Sequence, residues 1–369
     1  MTSPWVFPIG REVPADHLVG RETFIDEVVA RVNLGESLVI GSPRRTGKTS
    51  VTREVLRRLQ AQGWLTAFVD LLRTPSEPRL SEALVDAVLQ NETGLHRTLE
   101  RLRGAATSAA GRIHLSTKTA EGLEFALGFQ AAAPDLEAAL GAGEVLAHRL
   151  DSRIVVAFDE FQSASNIRHD IYGFMRSILQ RHQRAVYLFL GSQAGLLEQQ
   201  FTESHAPFFR FAIVHRLPAV PPDAWVPYLL NGYRAAGWPV SNEFCRRLAE
   251  RAGGHPYSTM VMANKALMVL SLRGGVSELA LLDLAYEAGL DDLQATYDEM
   301  FRALAAPAAA QDILMRLASN EPPYHGTANA TVRRALRALT DAALVTRVGR
   351  GRYIFPDPLF AEYVRRLRT

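Results

Sequence analysis

The chain has 369 residues, of which 47% are hydrophobic and 22% charged, and its formal net charge is +2. This length suggests about two or three domains with ample hydrophobic core, and the composition is that of an ordinary globular protein. A single cysteine, Cys245, excludes an intramolecular disulfide and cannot form a zinc site alone. No apolar stretch approaches the roughly 20 residues of a membrane helix, and no signal peptide precedes Arg11. We therefore expect a cytoplasmic protein without a membrane partner.

The first half of the chain alternates apolar runs with helical patterns. After an extended, proline-containing lead-in, Phe24, Val28 and Val32 recur at helical spacing. Five continuous apolar runs follow, and such runs are typical of strands that are covered on both faces of a parallel sheet. They lie at 37–41, 65–70, 153–158, 186–190 and 211–215. The order of elements predicts a doubly wound α/β domain over residues 1–220.

A long segment separates the second and third predicted strands. Residues 74–150 form a mainly helical insertion in this interpretation, with an alternating stretch near 112–128 that suits a hairpin. The sequence offers no function for this insertion.

The second half of the chain is predicted to be helical. After Pro221 and Pro222 the pattern predicts a helical domain over 221–305. In residues 306–369, two predicted helices (309–318 and 328–342) precede two short strands joined by a glycine turn, which is typical of a winged helix-turn-helix. Residues 301–369 hold 11 arginines against 5 Asp and Glu, so this region is basic in an otherwise slightly acidic chain.

The sequence GSPRRTGKTS at residues 41–50 follows the apolar run Leu38-Val39-Ile40 and predicts a phosphate-binding loop. In the motif G-x-x-x-x-G-K-[ST], Gly47 and Lys48 match, and Ser42 replaces the first glycine. Backbone N–H groups of the loop would surround the β-phosphate, Lys48 would reach the β- and γ-phosphates, and Thr49 would hold Mg²⁺. The predicted nucleotide-binding loop comprises Ser42, Pro43, Arg44, Arg45, Thr46, Gly47, Lys48, Thr49 and Ser50. Arg44 and Arg45 either contact phosphate or a partner, or are simply solvated.

Acidic residues follow the third predicted strand. Asp159, at the carboxyl end of a strand beside the loop strand, can bind Mg²⁺ directly or through water. Glu160 can polarise an attacking water as a general base. The alternative interpretation is a pair of solvated acids at a strand end.

Two further residues complete the predicted site. Ser192 or Gln193, after the fourth strand, would orient water against the γ-phosphate, and we prefer Ser192, which could also be a helix N-cap. Arg210, just before the fifth strand, could neutralise the γ-phosphate of a neighbouring subunit as an arginine finger. Because the chain is rich in arginine, this assignment is open.

Together these motifs resemble the archaeal-type ATPase family. That family belongs to the STAND group of signal-transduction ATPases, which are related to AAA+ proteins. The resemblance covers nearly the whole chain and rests on Val19-Gly20-Arg21-Glu22, residues 42–50, Asp159-Glu160-Phe161-Gln162 and Gly254-His255-Pro256-Tyr257. It implies a P-loop NTPase core with five parallel strands in the order 5-1-4-3-2, a helical lid and a C-terminal winged helix. It also implies that Val19 and Gly20 contact adenine through their backbone, and that the turn at His255 and Pro256 presents the lid to the nucleotide.

Three functions are compatible with these motifs. The leading hypothesis is an ATP- and Mg²⁺-dependent switch in which ATP binding rearranges the lid and the winged helix, and hydrolysis releases them. It is compatible with an unidentified protein partner and with nucleotide-dependent homo-oligomers.

The second hypothesis is an ATP-regulated protein that binds duplex DNA, since a basic helix and wing attract DNA. The arginines concerned are Arg333, Arg334, Arg337 and Arg350, with Arg347 and Arg352 nearby. The third, a P-loop kinase for a small molecule, is less well supported because Asp159 and Glu160 favour water as the acceptor.

Overall fold

The structure is a computed structural model that describes residues 6–90, 135–304, 309–324, 329–349 and 351–368. The predicted hairpin near 112–128 lies outside these residues, as does Arg350. Within the predicted insertion, the described residues form two helices, one on each side of 91–134.

Five parallel strands form the central sheet. They are β1 (Leu38–Gly41), β2 (Leu65–Asp70), β3 (Ile154–Asp159), β4 (Ala185–Gly191) and β5 (Ile213–Val214). Their order is β2-β3-β4-β1-β5, which confirms the predicted order 5-1-4-3-2. The fifth strand is shorter than predicted because Phe211 packs in a cluster of aromatic rings with Phe189 and Phe208 instead of continuing the sheet.

Helices cover both faces of this sheet, as continuous apolar strands require. One face carries α1 (Glu22–Asn33) and α2 (Lys48–Ala61). The other face carries α3 (Glu77–Gln90), α4 (Leu136–Arg149), α5 (Ile171–Leu179) and α6 (Ala194–Thr202). The predicted spacing on α1 is confirmed, since Phe24, Val28 and Val32 are all buried.

A helical region follows the sheet domain. Its helices are α7 (Pro222–Ala235), α8 (Asn242–Arg251), α9 (Pro256–Arg273) and α10 (Glu278–Arg302). We call these four helices the lid. Pro at the first turn of α7 and α9 suits a helix start, because the N–H that proline lacks has no partner there in any helix.

The C-terminal region contains a helix pair, a hairpin and a final helix. These are α11 (Ala309–Ala318), α12 (Asn329–Asp341), the antiparallel strands β6 (Thr346–Gly349) and β7 (Arg352–Ile354), and α13 (Pro358–Arg366). The predicted helix pair and hairpin are present, whereas α13 was not predicted. A single apolar cluster includes buried residues of the lid and of this C-terminal region, so the two regions pack on one another. Domain boundaries at 220 and 305 remain predictions.

The N-terminal segment is more than a lead-in. Phe7 is buried in the apolar cluster of the lid, with its ring centroid 4.9 Å from that of Tyr233. Farther along, the Val13 N–H donates to Ser50 Oγ on α2 at 3.1 Å. Residues 6–17 therefore span from the lid to the helix that follows the phosphate loop. We call this stretch the N-terminal strap.

Among the helices that the structure describes, none combines the length and the apolar character needed to cross a membrane.

Candidate functional site

The predicted phosphate loop connects β1 to α2. Gly47 has φ +90°, a left-handed conformation that glycine adopts without strain, and α2 begins at Lys48 directly after it. Ser42, in place of the first glycine, braces the loop: its Oγ lies 2.6 Å from Thr46 Oγ1, which donates to the Pro43 carbonyl at 2.8 Å. The serine is therefore a structural part of the turn.

Lys48 is buried beneath this loop. Its Nζ donates to the carbonyl oxygens of Ser42 at 2.9 Å and Pro43 at 3.1 Å. Burial lowers the pKa of Lys48, and the charges of Glu160 and Asp159 oppose that effect. The Lys48 ammonium group therefore lies close to both acidic residues and is hydrogen-bonded to the phosphate loop.

Thr49 and Asp159 meet at the carboxyl edge of the sheet. Thr49 Oγ1 donates to Asp159 Oδ2 at 2.8 Å, and Asp159 Oδ1 accepts the Glu160 backbone N–H at 2.9 Å. Burial raises the pKa of Asp159, while its hydrogen bond from Thr49 acts in the opposite direction. A hydroxyl and a carboxylate are the hard oxygen ligands that Mg²⁺ prefers, and Mg²⁺ commonly completes its shell with water and substrate phosphate. The residues present therefore fit the predicted magnesium site.

Glu160 has an unusual backbone and a strongly held side chain. Its φ of +51° places a non-glycine residue in the left-handed region, a strain that is concentrated at functional sites. Its Oε2 accepts hydrogen bonds from Ser192 Oγ at 2.7 Å, from the Ser192 N–H at 3.2 Å and from Gln162 Nε2. Between the two predicted candidates, Ser192 is the one that contacts Glu160. Gln193 instead occupies the N-cap position of α6.

These side chains line a cavity of about 1200 Å³. Gly47, Lys48, Thr49, Asp159 and Glu160 lie on its sheet side. The N-terminal strap forms another wall with Arg11, Val13 and His17, and the lid contributes Trp225, Pro256, Tyr257 and Met260. The cavity therefore lies between the sheet domain and the lid, where a nucleotide was predicted.

The residues Val19 and Gly20, predicted to contact adenine, lie at the joint between sheet domain and lid. Val19 packs against the apolar cluster of the lid. Gly20 has φ +64°, and a Cβ there would come within 2.9 Å of Val220 Cγ1. Val220 also contacts Gly254, whose φ is +66° and whose added Cβ would overlap the Val220 carbonyl oxygen. Both glycines thus allow close backbone approach at this joint.

Arg21 is a contributor to the loop that the sequence interpretation did not assign. It is buried, and its guanidinium donates to the carbonyl oxygens of Thr46 at 3.1 Å and of Pro218. Burial lowers the pKa of Arg21 to about 10. Its position in the quoted Val19-Gly20-Arg21-Glu22 motif was the signal that could have found it.

The turn before α9 contacts the phosphate loop directly. His255 caps α9 by accepting the Ser258 N–H at Nδ1. Burial lowers the pKa of His255, and both the Asp357 charge and a hydrogen bond to the Arg44 backbone act in the opposite direction. The Arg45 guanidinium lies over the Tyr257 ring at 4.3 Å. Arg44 and Arg45 are otherwise exposed.

The same turn contacts the C-terminal region through Asp357. Ser258 Oγ and the Tyr297 hydroxyl each donate to the Asp357 carboxylate at 2.8 Å. Asp357 also caps α13 by accepting the N–H groups of Leu359 and Phe360. Sequence interpretation missed Asp357, although Asp-Pro before an apolar run is a helix-start signal.

Arg210 lies at the opposite edge of the sheet. It precedes β5, whose Ile213 pairs with Leu38 at the start of β1, and it lines a cavity of about 290 Å³ together with Gly35 and Ser37. Arg210 is therefore remote from the phosphate loop of its own chain, and the predicted role toward a neighbouring subunit remains a prediction.

Comparison with known proteins finds the same fold in solved structures. No protein-family model and no curated protein matches the chain. A Walker-type ATPase of Pyrococcus abyssi is similar with a TM-score of 0.71 at 16% identity, over 98% of this chain and 99% of the other. The ORC2 protein of Aeropyrum pernix, in its ADPNP–ADP complexes, gives a TM-score of 0.54 at 15% identity, over 98% and 96% of the two chains. These likenesses confirm the predicted P-loop NTPase α/β fold.

Proposed function

We propose that the protein binds and hydrolyses ATP, and that its nucleotide state repositions the lid and the C-terminal region. One observation carries this proposal: Lys48, Thr49, Asp159 and Glu160 converge on a single cavity between the sheet domain and the lid. The fold shared with a Walker-type ATPase and with a protein solved in ADPNP–ADP complexes supports nucleotide as the ligand.

Each residue has a role that follows from its contacts. The loop N–H groups and the N-terminus of α2 bind the phosphates, and Lys48 adds a positive charge. Thr49 and Asp159 would hold Mg²⁺, which neutralises charge that develops on the phosphates. Glu160 takes the proton from the attacking water. Ser192 acts through Glu160, since both its N–H and its hydroxyl contact that carboxylate.

The switch follows from a chain of contacts between the loop and the C-terminal region. The Arg45 guanidinium lies over the Tyr257 ring in the first turn of α9. Ser258 in the same turn donates to Asp357, and Asp357 caps α13. A phosphate group in the loop alters the surroundings of Arg44 and Arg45 and thereby the contact with the lid. Nucleotide shifts this equilibrium to the extent that it binds the two arrangements with different affinity.

Phosphate release tests the chemistry. The protein with ATP and Mg²⁺ should release free phosphate, and Glu160→Gln should slow release by about 10²–10⁴-fold while retaining ATP. Lys48→Ala should slow release by at least about 10²-fold. Lys265→Ala, which alters a lysine on the lid paired with Asp292, is the matched control and should leave the rate unchanged. Absence of free phosphate would reject ATP hydrolysis. A phosphorylated small molecule in place of free phosphate would favour the kinase alternative.

A second candidate function, DNA binding, is favoured by the C-terminal arginines. We infer a winged helix in which α12 and the β6–β7 hairpin face a duplex, because Arg333, Arg334 and Arg337 are exposed on α12. Arg347 and Arg352 are exposed on the hairpin. Such a cluster neutralises phosphates and binds duplex DNA with strong salt dependence.

A salt titration with duplex DNA tests this candidate. Binding should weaken steeply with salt, and Arg333→Ala with Arg334→Ala should lower the slope of log affinity against log salt by about 1 per arginine. Absence of binding at low salt would reject a DNA role and leave a protein partner, or a neighbouring subunit reached through Arg210, as the target of the switch.

A further inference from the structure

Among the residues that the structure describes, hydrogen bonds reach the Glu160 carboxylate at one oxygen, Oε2. Three donors converge on Oε2, namely the Ser192 hydroxyl, the Ser192 N–H and Gln162 Nε2. Glu160 itself lines the cavity, so a carboxylate anchored through Oε2 can turn Oε1 toward a water beside the phosphates. A general base must lie within about 2.6–3.2 Å of the proton that it accepts, and fixing one oxygen fixes the other.

We propose that Gln162 is a positioning residue for ATP hydrolysis, which sets the orientation of Glu160 jointly with Ser192. This inference rests on the proposed function. Glu160 lies in the left-handed backbone region, and its side chain has several rotamers from which to choose. Gln162, in the Phe161–Asn166 turn that follows β3, restricts the Glu160 side chain to one rotamer by its hydrogen bond. Ser192, directly after β4, restricts the same side chain from the neighbouring strand. Glu160 is thus fixed by donors on two neighbouring elements.

The Gln162 amide donates to Glu160 through Nε2 but leaves its own carbonyl oxygen unpaired in the described part of the chain. Its Oε1 is buried and finds no hydrogen-bond partner among the residues that the structure describes. An unpaired buried carbonyl destabilises the fold, so a glutamine is a poor choice for packing alone. An apolar residue of the same length would avoid that loss. The glutamine is therefore explained by the donor that it supplies to Glu160.

Gly191 makes room for the amide. A Cβ at this position would overlap Gln162 Oε1 and would lie 3.0 Å from Leu197 Cδ2. Gly191 is the last residue of β4 and directly precedes Ser192, so its backbone approaches the Gln162 amide closely. Gly191→Ala would displace the amide from Glu160 without removing any donor.

Single-turnover hydrolysis with enzyme in excess tests the proposal in Gln162→Met, which keeps the side-chain length and removes the amide. We expect the chemical rate to fall about 10- to 100-fold, the loss typical of a small misplacement of a reacting group, with ATP affinity unchanged. Gly191→Ala should give a loss of the same kind. Gln183→Met, the same chemical change at an exposed site at the amino end of β4, is the control and should match the unmodified protein.

The Glu160→Gln background separates positioning from a general structural effect. If Gln162 acts through Glu160, Gln162→Met should cause little further loss once Glu160 is already replaced, because effects of residues that act as a unit are not additive. An equal fold-loss in both backgrounds, or full activity in Gln162→Met, would overturn the proposal. If the unmodified protein releases no phosphate, the proposed function itself falls. If it does and Gln162→Met matches it, only this inference falls.

Discussion

At the scale of single residues, Asp159, the proposed Mg²⁺ ligand, is a buried carboxylate whose burial opposes its ionisation. Burial raises its pKa above the usual value, which means that the folded protein disfavours the ionised form relative to the unfolded chain. A group whose folded pKa is raised contributes stability below its unfolded pKa and loses that contribution as pH rises through the folded pKa. Wherever the carboxylate is ionised, its burial therefore destabilises the folded protein unless a cation compensates the charge.

Asp159→Asn should accordingly stabilise the nucleotide-free protein at pH 7 and abolish its response to Mg²⁺. The amide can keep one acceptor and offer a donor to Thr49, so the local hydrogen bonds persist. We expect the melting temperature without ligand to rise by a few degrees at pH 7, with a smaller difference near pH 4. Thermal melting with and without Mg²⁺ and ATP measures both. A lower melting temperature for Asp159→Asn at pH 7 would contradict this account.

The joint between sheet domain and lid depends on Gly254. Both its φ of +66° and the overlap of an added Cβ with the Val220 carbonyl oppose a side chain there. Gly237 has φ +80° but open space around it, so it separates the two effects. We expect Gly237→Ala to cost about 1–2 kcal/mol from the left-handed backbone alone, and Gly254→Ala to cost clearly more. Equal melting temperatures for the two variants would show that the backbone at Val220 moves away from the added Cβ at Gly254 without a further loss of stability.

The sequence predicts residues well where a local motif fixes the geometry. The contacts of Lys48 with its own loop join residues only a few positions apart, and Asp159 follows a recognisable strand. Asp357 could not be assigned because its partner Ser258 is 99 residues away and nothing local marks that pairing. Gln162 was quoted as part of a motif, yet its role depends on the side chain of Ser192, which another strand supplies.

At the scale of elements, the N-terminal strap joins what the sequence presents as separate regions. Phe7 fills a space in the lid beside Gly232, where an added Cβ would overlap its ring. Because the strap also lines the cavity and is hydrogen-bonded to α2, the burial of Phe7 affects the cavity wall. Proline-rich composition predicted an extended segment but gave no indication of where that segment packs.

Phe7→Ala should loosen both the lid and the cavity that we propose binds ATP. Loss of a fully buried phenylalanine typically costs about 3–5 kcal/mol, and a detached strap no longer closes the cavity near His17. We expect a lower melting temperature and weaker ATP binding by calorimetry. Leu279→Ala, at an exposed position of the lid, should change stability by no more than about 0.5 kcal/mol. Unchanged ATP affinity in Phe7→Ala would show that the strap is only structural.

The strand order is the element-scale feature that the sequence predicted most completely. The observed order β2-β3-β4-β1-β5 is the one that the resemblance to the archaeal-type ATPase family implied. The final helix α13 is only 9 residues long and was not predicted, although the Asp357 cap before Pro358 is a local helix-start signal.

At the scale of the whole molecule, Asp357 links the first turn of α9 to the C-terminal region. Asp357→Ala removes the acceptor of Ser258 and Tyr297 and the cap of α13. We expect ATP hydrolysis to persist while the C-terminal region no longer responds to nucleotide, together with a loss of about 1 kcal/mol or more from the cap alone. Asp312→Ala, which removes a salt bridge to Arg316 within one helix, is the control. Hydrogen exchange of α12 and α13 with and without ATP measures the response. A response in Asp357→Ala equal to that of the control would exclude this route.

A distance measurement between the two ends of the proposed switch tests the central claim most directly. Spin labels at Ala61→Cys on α2 and Ala330→Cys on α12, both exposed, can be introduced after Cys245→Ala removes the natural thiol. In the Glu160→Gln background, pulsed electron paramagnetic resonance should give a different mean distance with Mg²⁺ and ATP than without nucleotide. The same distance distribution in both states, with ATP bound, would contradict a nucleotide-driven repositioning of the C-terminal region.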